Sequence, residues 1–279
     1  MWDKIKIVWE LVKSKLDFLY ETFFKFIIAV VRIFSKSWAG KIQTFHNELE
    51  ITYLREQVFD GLVTTVKIAV IGLVIGIVIG TLIAVIRVAP KYSAFVRVLD
   101  KICTVYVAIF RGMPMVVQLL LAYYVILPSF GISAKSDYVA YIVFGLNSGA
   151  YVSEIMRGGI NSVDAGQMEA GRAVGLGFSA TMLKIVVPQA IKNILPTLGN
   201  EFITLIKETS IVSFISVTDL YTAMTNIGKH SYETMVPYLV LAMIYIVLVL
   251  GITLLVRLLE KVFAKSDRYA APKKKVKAK

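Results

Sequence analysis

The sequence predicts an all-α protein that crosses a membrane several times, and two observations carry the prediction. Hydrophobic residues make up 57% of the 279 and charged residues 18%, with a mean hydropathy of +0.71, well outside soluble composition. The apolar residues also gather into separate runs of bilayer-spanning length, with basic residues at the ends of those runs. The net charge of +12 therefore reads as membrane-flanking charge that attracts anionic lipid, and nucleic acid is not an expected partner. Cys103 lies inside an apolar run and His46 and His230 stand far apart, so no disulfide scaffold, metal site or catalytic set is expected.

Residues 1–58 form an extension of their own. Met1 to Lys15 interleaves Lys with Trp, Ile and Leu and lacks the separate apolar core and small-residue cleavage site of a signal peptide. Leu16 to Phe34 is apolar apart from Asp17, Glu21, Lys25 and Arg32, which fall on one stripe of a helix. Two placements satisfy that stripe. The segment lies in the interface as an amphipathic helix, or it crosses as an extra span with Glu21 and Lys25 paired at i,i+4. Crossing leaves Lys4, Lys6, Lys13 and Lys15 inside and the acidic Glu48, Glu50, Glu56 and Asp60 outside, as the charge rule favours, yet each charge in the membrane costs about 2.5–3.5 kcal/mol.

A transmembrane domain over residues 59–261 follows, with five spans. Gly61 to Ile86 is the cleanest, and Gly72, Gly76 and Gly80 line one face of it for close approach by another helix of the bundle. Ile102 to Leu127 is the second, broken at Arg111-Gly112-Met113-Pro114, where proline removes a backbone donor and bends the helix and Arg111 serves as a hinge anchor. Tyr138 to Met156, Ile194 to Val217 and Val236 to Val256 complete the set. Arg87, Lys91, Arg97 and Lys101 follow the first span, and Arg172, Lys184 and Lys192 follow the third, whereas the other turns carry little net positive charge. The loop 158–193 and the basic tail 262–279 are therefore expected on the cytoplasmic side.

That loop is the most informative segment. Glu169, Ala170 and Gly171 give a small-faced helix with a carboxylate near its start, Gly175 and Gly177 a flexible corner, and Met182 to Val187 an apolar return helix that Pro188 stops or kinks. A soluble partner can grip and push such a hairpin. Its residues resemble the membrane-spanning permease subunits of bacterial ABC importers, whose cytoplasmic signature is Glu-Ala-Ala, three residues, Gly, nine residues, Ile, one residue, Leu, Pro. Glu169, Ala170, Gly171, Gly175, Ile185, Val187 and Pro188 keep the spacing, with Gly171 in place of Ala and Val187 in place of Leu. Phe110-Arg111-Gly112-Met113-Pro114 with Gln118, Gly149-Ala150-Tyr151 with Glu154, Arg157-Gly158-Gly159-Ile160, Asp164 to Ala170, and Lys207-Glu208-Thr209-Ser210 are similar to the branch that imports polar amino acids. The resemblance covers roughly Phe59 to Lys261.

It implies the five-helix core of a type I ABC importer permease in a bacterial cytoplasmic membrane. It further implies two cytoplasmic ATPase subunits docking through Glu169, Ala170, Gly171, Gly175, Gly177, Ile185 and Pro188, a second permease, identical or sibling, and an extracytoplasmic amino acid-binding protein. No phosphate-binding Gly-x-x-x-x-Gly-Lys-Ser/Thr stretch occurs, so the chain is read as a transport subunit and not an enzyme, with ATP and Mg bound by the partners. The fourth span carries Thr197, Glu201, Thr204 and Glu208 on one face and Asn200, Lys207 and Ser210 on an adjoining stripe. Ionisable residues in spans face cavities or partners, so Asn200, Glu201, Thr204, Lys207, Glu208 and Ser210, with Gln118, Asn147 and Glu154, form the expected substrate pathway. The alternative, an ion-coupled secondary transporter, calls for internal repeats and paired broken helices. Pro114 is the one clear mid-span break, and no repeat is visible.

Overall fold

The structure, a computed structural model, describes residues 21–268 except 23, 24, 27 and 34. The choice between an interfacial helix and a span for residues 16–34 turns largely on positions outside the described residues, as does the tail beyond 268. Among the described residues all regular structure is helical. In chain order the helices are α1 (Lys36–Glu50), α2 (Thr52–Val88), α3 (Ala94–Gly112), α4 (Met115–Ser129), α5 (Ser136–Asn161), α6 (Ala165–Ala173), α7 (Phe178–Thr181), α8 (Val187–Glu208), α9 (Leu220–His230) and α10 (Met235–Arg268). The chain divides into two compact units, one of the described residues up to Asp60 with Ala223–Ala242, the other of Gly61–Thr222 with the described residues from Met243.

In the first unit, Ser35 caps α1 by accepting from the Trp38 amide, and Ala39, Phe45 and Leu49 form its buried face. Two polar contacts bind that helix to the turn between α9 and α10: an ion pair from Lys41 to Glu233 at 3.1 Å and a hydrogen bond between His230 Nδ1 and Glu48 at 3.0 Å. Lys41, together with the Met235 amide, holds the Glu233 carboxyl below its ordinary range. Ala223–Ala242 falls in this unit, where Lys41–Glu233 and His230–Glu48 join it to α1.

The second unit is built around α5. Its seam with α2 is made of glycine on both sides. A Cβ at Gly72 would lie 3.0 Å from Phe144 Cβ, at Gly76 2.6 Å from Ser148 Oγ, and at Gly80 2.7 Å from Val152 Cβ. Reciprocally, a Cβ at Gly149 would meet Ile79 at 2.8 Å, and one at Gly145 would meet Ile75. Small residues four apart let the two backbones approach, so the glycine face of the first span is used inside the chain. Ile68, Leu119, Phe144, Leu205, Ile206, Val212 and Ile215 form the buried core where α2, α4, α5 and α8 converge.

The spans keep one expectation and change others. The second is broken where expected, between Gly112 and Met115, and α3 and α4 meet there at 106°. The fourth span ends early: α8 stops at Glu208, a 3₁₀ turn runs over Thr209–Ile215, and Ser216 adopts a left-handed conformation (φ 62°). Three described helices are long and apolar enough to cross a membrane alone, and α8, diluted by Asn200, Glu201, Lys207 and Glu208, is not among them. Pro188 does not break the chain. A π turn over Met182–Val186, in which the Val187 amide reaches back to the Met182 carbonyl, carries α7 into α8 without interruption. A proline ring collides with the carbonyl four residues earlier, and the wider turn removes that collision. The same device precedes Pro128, where a π turn spans Leu121–Ile126.

Candidate functional site

The α3–α4 break shapes the site. A continued helix would satisfy the Phe110 carbonyl with the amide of residue 114, and Pro114 has none. Gln118, one turn into α4, supplies it: its side-chain amide donates to Phe110 O and Met113 O, both at 2.8 Å, and its carbonyl accepts from Asn147 Nδ2 at 3.1 Å. Gln118 is thereby committed to a clasp that holds the break open, and it does not line the adjoining cavity.

The cavity measures about 420 Å³ and lies between the break, α5 and α8. Asn147, Glu201, Thr204 and Glu208 line it, as the α8 face pattern requires. Glu201 is 9% exposed and accepts from Ser148 Oγ at 3.0 Å, while Glu208 stands two turns along, roughly 10 Å by helical rise. Arg111 and Tyr151 also line it, with the guanidinium carbon 5.2 Å from the ring centroid in a cation–π arrangement, and residues 112–115 and Leu205 make up the rest of the wall. Both were missed as site residues. Arg111 is the basic residue in the last turn of α3, where the helix dipole favours a cation, and Tyr151 follows Asn147 by four positions and so shares its face. The cavity therefore presents one cation and two carboxylates to a single volume, with a hydroxyl and an amide between them.

Four other residues of the expected pathway lie outside this cavity. Asn200, Lys207 and Ser210 do not line the cavity, because their stripe lies to one side of the Glu201–Glu208 face. Glu154 is an ion-pair centre: Arg87 from the end of α2 meets one carboxylate oxygen, and Arg157 meets the other at 2.6 Å. Two guanidiniums on one carboxylate fix the end of α2 to the last turn of α5.

Beyond α5 stands the hairpin. Asp164 caps α6 by accepting from Gly166 N at 2.7 Å. Gly175 adopts φ +91°, and the amides of Gly175 and Leu176 return to Arg172 O and Gly171 O, closing the helix through a left-handed glycine. Gly177 starts α7 in an extended conformation. Glu169, Ala170, Gly175, Gly177 and Pro188 are exposed, Ile185 is half-buried, and Gly171 is buried. A Cβ on Gly171 would collide with Thr181 and crowd Ile185, which explains glycine at that place in the motif. Asn193 donates to Ser162 Oγ at 2.8 Å and Gln189 to Gln167 at 3.3 Å, so both ends of the hairpin are tied to the start of α8.

Comparison with known proteins bears on this arrangement. Residues 72–265 match the family described as the binding-protein-dependent transport system inner membrane component. The arginine transport system permease protein ArtQ of Bacillus subtilis is 35% identical over 75% of this chain and 94% of its own length. A putative glutamine transport system permease protein, GlnP, of Rickettsia bellii is 39% identical over 73% and 91%. Among solved structures, an amino acid ABC transporter crystallised with histidines aligns with a TM-score of 0.70 at 36% identity, over 76% of this chain and 97% of that one. The MetNI methionine ABC transporter, at 19% identity and a TM-score of 0.58, shares the fold. The ion-coupled alternative is set aside by this membership, and ATP hydrolysis lies with a separate subunit in such systems. The chain belongs to the binding-protein-dependent transport family as a membrane-spanning permease subunit of an ABC importer.

Proposed function

We propose that the chain carries polar amino acids across a bacterial cytoplasmic membrane, with the 420 Å³ cavity as the station where substrate is held. The observation that carries this reading is the pairing of Arg111 with Glu201 and Glu208 around one volume. An amino acid brings an α-carboxylate and an α-ammonium, and the cavity offers a partner for each, with Asn147 and Thr204 left to orient the remainder. The relatives named for amino acid transport support the same substrate class.

Glu169, Ala170, Gly175 and the flanks of the hairpin are the surface to which cytoplasmic ATPase subunits dock, and Gly171, Gly177, Ile185 and Pro188 keep its shape. A second permease and an external binding protein complete the assembly. The charge rule puts the hairpin and the C-terminus inside.

The test is reconstitution of the full chain with its ATPase and binding protein in proteoliposomes. ATP-dependent uptake of labelled amino acids is expected, with Glu201→Gln lowering uptake or changing substrate preference. Glu169→Lys should abolish uptake while leaving the protein inserted. Uptake without nucleotide, or none of any amino acid, overturns the reading. A cysteine at Lys184, labelled only after the membrane is permeabilised from the outside, checks the orientation.

A further inference from the structure

A second cavity, of about 430 Å³, opens where α2 ends, α3 begins and α5 makes its last turn. Arg87, Lys91, Asp100, Thr104, Arg157 and Asn161 line it. The charges around it are ordered. Glu154 takes Arg87 and Arg157 on its two oxygens, and Lys91 Nζ stands 2.5 Å from Asp100. Three cations thus face two carboxylates, which leaves one positive charge in excess within the group. Each guanidinium carries five N–H donors and the ammonium three, so the ion pairs use only part of their capacity. Thr104 spends its hydroxyl on the Asp100 carbonyl at 2.8 Å, and the Asn161 amide adds a neutral donor.

The surroundings are those of a membrane boundary. Leu82 and Val85, the last exposed apolar residues of α2, lie just before Arg87, and Tyr92 and Phe95 are exposed beside Lys91. Exposed aliphatic residues next to exposed aromatics and a cation make the profile of a surface that meets acyl chains below and headgroups at its edge. Basic pockets between helices at such an edge bind anionic headgroups.

We propose that this cavity holds the phosphate of an anionic phospholipid. A phosphodiester carries one negative charge, equal to the excess of the group, and its oxygens accept paired N–H bonds from a guanidinium. Flanking apolar residues receive the acyl chains, which selects a lipid over a free anion. Asp100 is the opposing group, held off by Lys91. A lipid seated there bridges α2, α3 and α5 at the root of the hairpin.

Native mass spectrometry of the full-length chain, purified in detergent and titrated with phosphatidylglycerol or phosphatidylcholine, tests the proposal. The wild type should retain phosphatidylglycerol preferentially, and Lys91→Gln should weaken retention by roughly fivefold, the worth of one cation near a membrane surface. Asp100→Asn should strengthen retention, a gain that a merely loosened fold cannot produce. No preference for phosphatidylglycerol in the wild type, or weaker retention in Asp100→Asn, overturns the proposal. A third arm adds millimolar inorganic phosphate: full displacement of phosphatidylglycerol by phosphate would make the ligand a soluble phosphate and overturn the lipid assignment.

Discussion

Replacing Gln118 with Leu separates a clasp from a pathway residue. The substitution removes two donors, to Phe110 O and Met113 O, and the acceptor that holds Asn147. Each orphaned carbonyl costs about 1–3 kcal/mol, offset by about 1.5–3 kcal/mol from burying the leucine side chain. Phe110 O keeps a long contact from Asn147 at 3.4 Å, which softens the loss. The net destabilisation is on the order of 1–3 kcal/mol. Thermal unfolding of the purified chain in detergent should show a lower midpoint, while competition among amino acids for uptake should keep its ranking, because Gln118 does not line the cavity. Adding Pro114→Ala restores an amide to the Phe110 carbonyl and should recover part of the midpoint at the expense of the 106° break. An unchanged midpoint together with a reordered substrate ranking would refute the clasp and return Gln118 to the pathway.

Three further outcomes follow from the packing. Gly76→Ala drives a methyl group into Ser148, so it should destabilise the α2–α5 seam by about 1–3 kcal/mol, and Ser148→Gly in the same chain should relieve part of that in a double-mutant cycle read by thermal unfolding. Glu154→Ala leaves the Arg87 and Arg157 guanidiniums facing each other and should lower stability by about 1–3 kcal/mol, whereas Glu154→Asp should keep most of it, as measured by the same melts. Gly175→Val forces a β-branched residue to φ +91° and should strain the hairpin by at least about 1 kcal/mol, seen as faster proteolysis near residue 175 with the helical content unchanged.

The hairpin was legible because its signals are local. An acid and small residues at a helix start, followed by glycines at a corner, dictate a shape within a dozen positions, and Asp164, Gly175 and Gly177 do what their types permit. The glycine face of α2 was legible as a face, yet only the fold shows that Phe144, Ser148 and Val152 fill it. Polar residues inside apolar runs were the hard case. Gln118, Glu154 and Glu201 look alike in a sequence, and what separates clasp, ion-pair centre and cavity wall is which orphaned carbonyl, guanidinium or empty volume lies within reach. For Gln118 the clue was present, since the Phe110 carbonyl that Pro114 abandons lies eight residues before it, two helical turns back. Pro114 breaks its helix as expected, but Pro188 misled because a π turn cannot be read from composition: the residues of Met182–Val186 suit an ordinary helix equally well.

The widened turn ahead of Pro188 has a consequence for how the hairpin and the cavity are phased. Each residue advances an α-helix by about 100° around its axis, and a π turn amounts to one residue inserted into that winding. Rewinding Met182–Val186 into an ordinary α-helix with every residue kept would swing Glu201, Thr204 and Glu208 by about 100° away from Arg111, whereas deleting one residue there removes the surplus and leaves their azimuth in place. The azimuth of the charged wall relative to the hairpin therefore depends on a five-residue π turn that takes up one surplus residue, together with the bonds that tie the hairpin to α8.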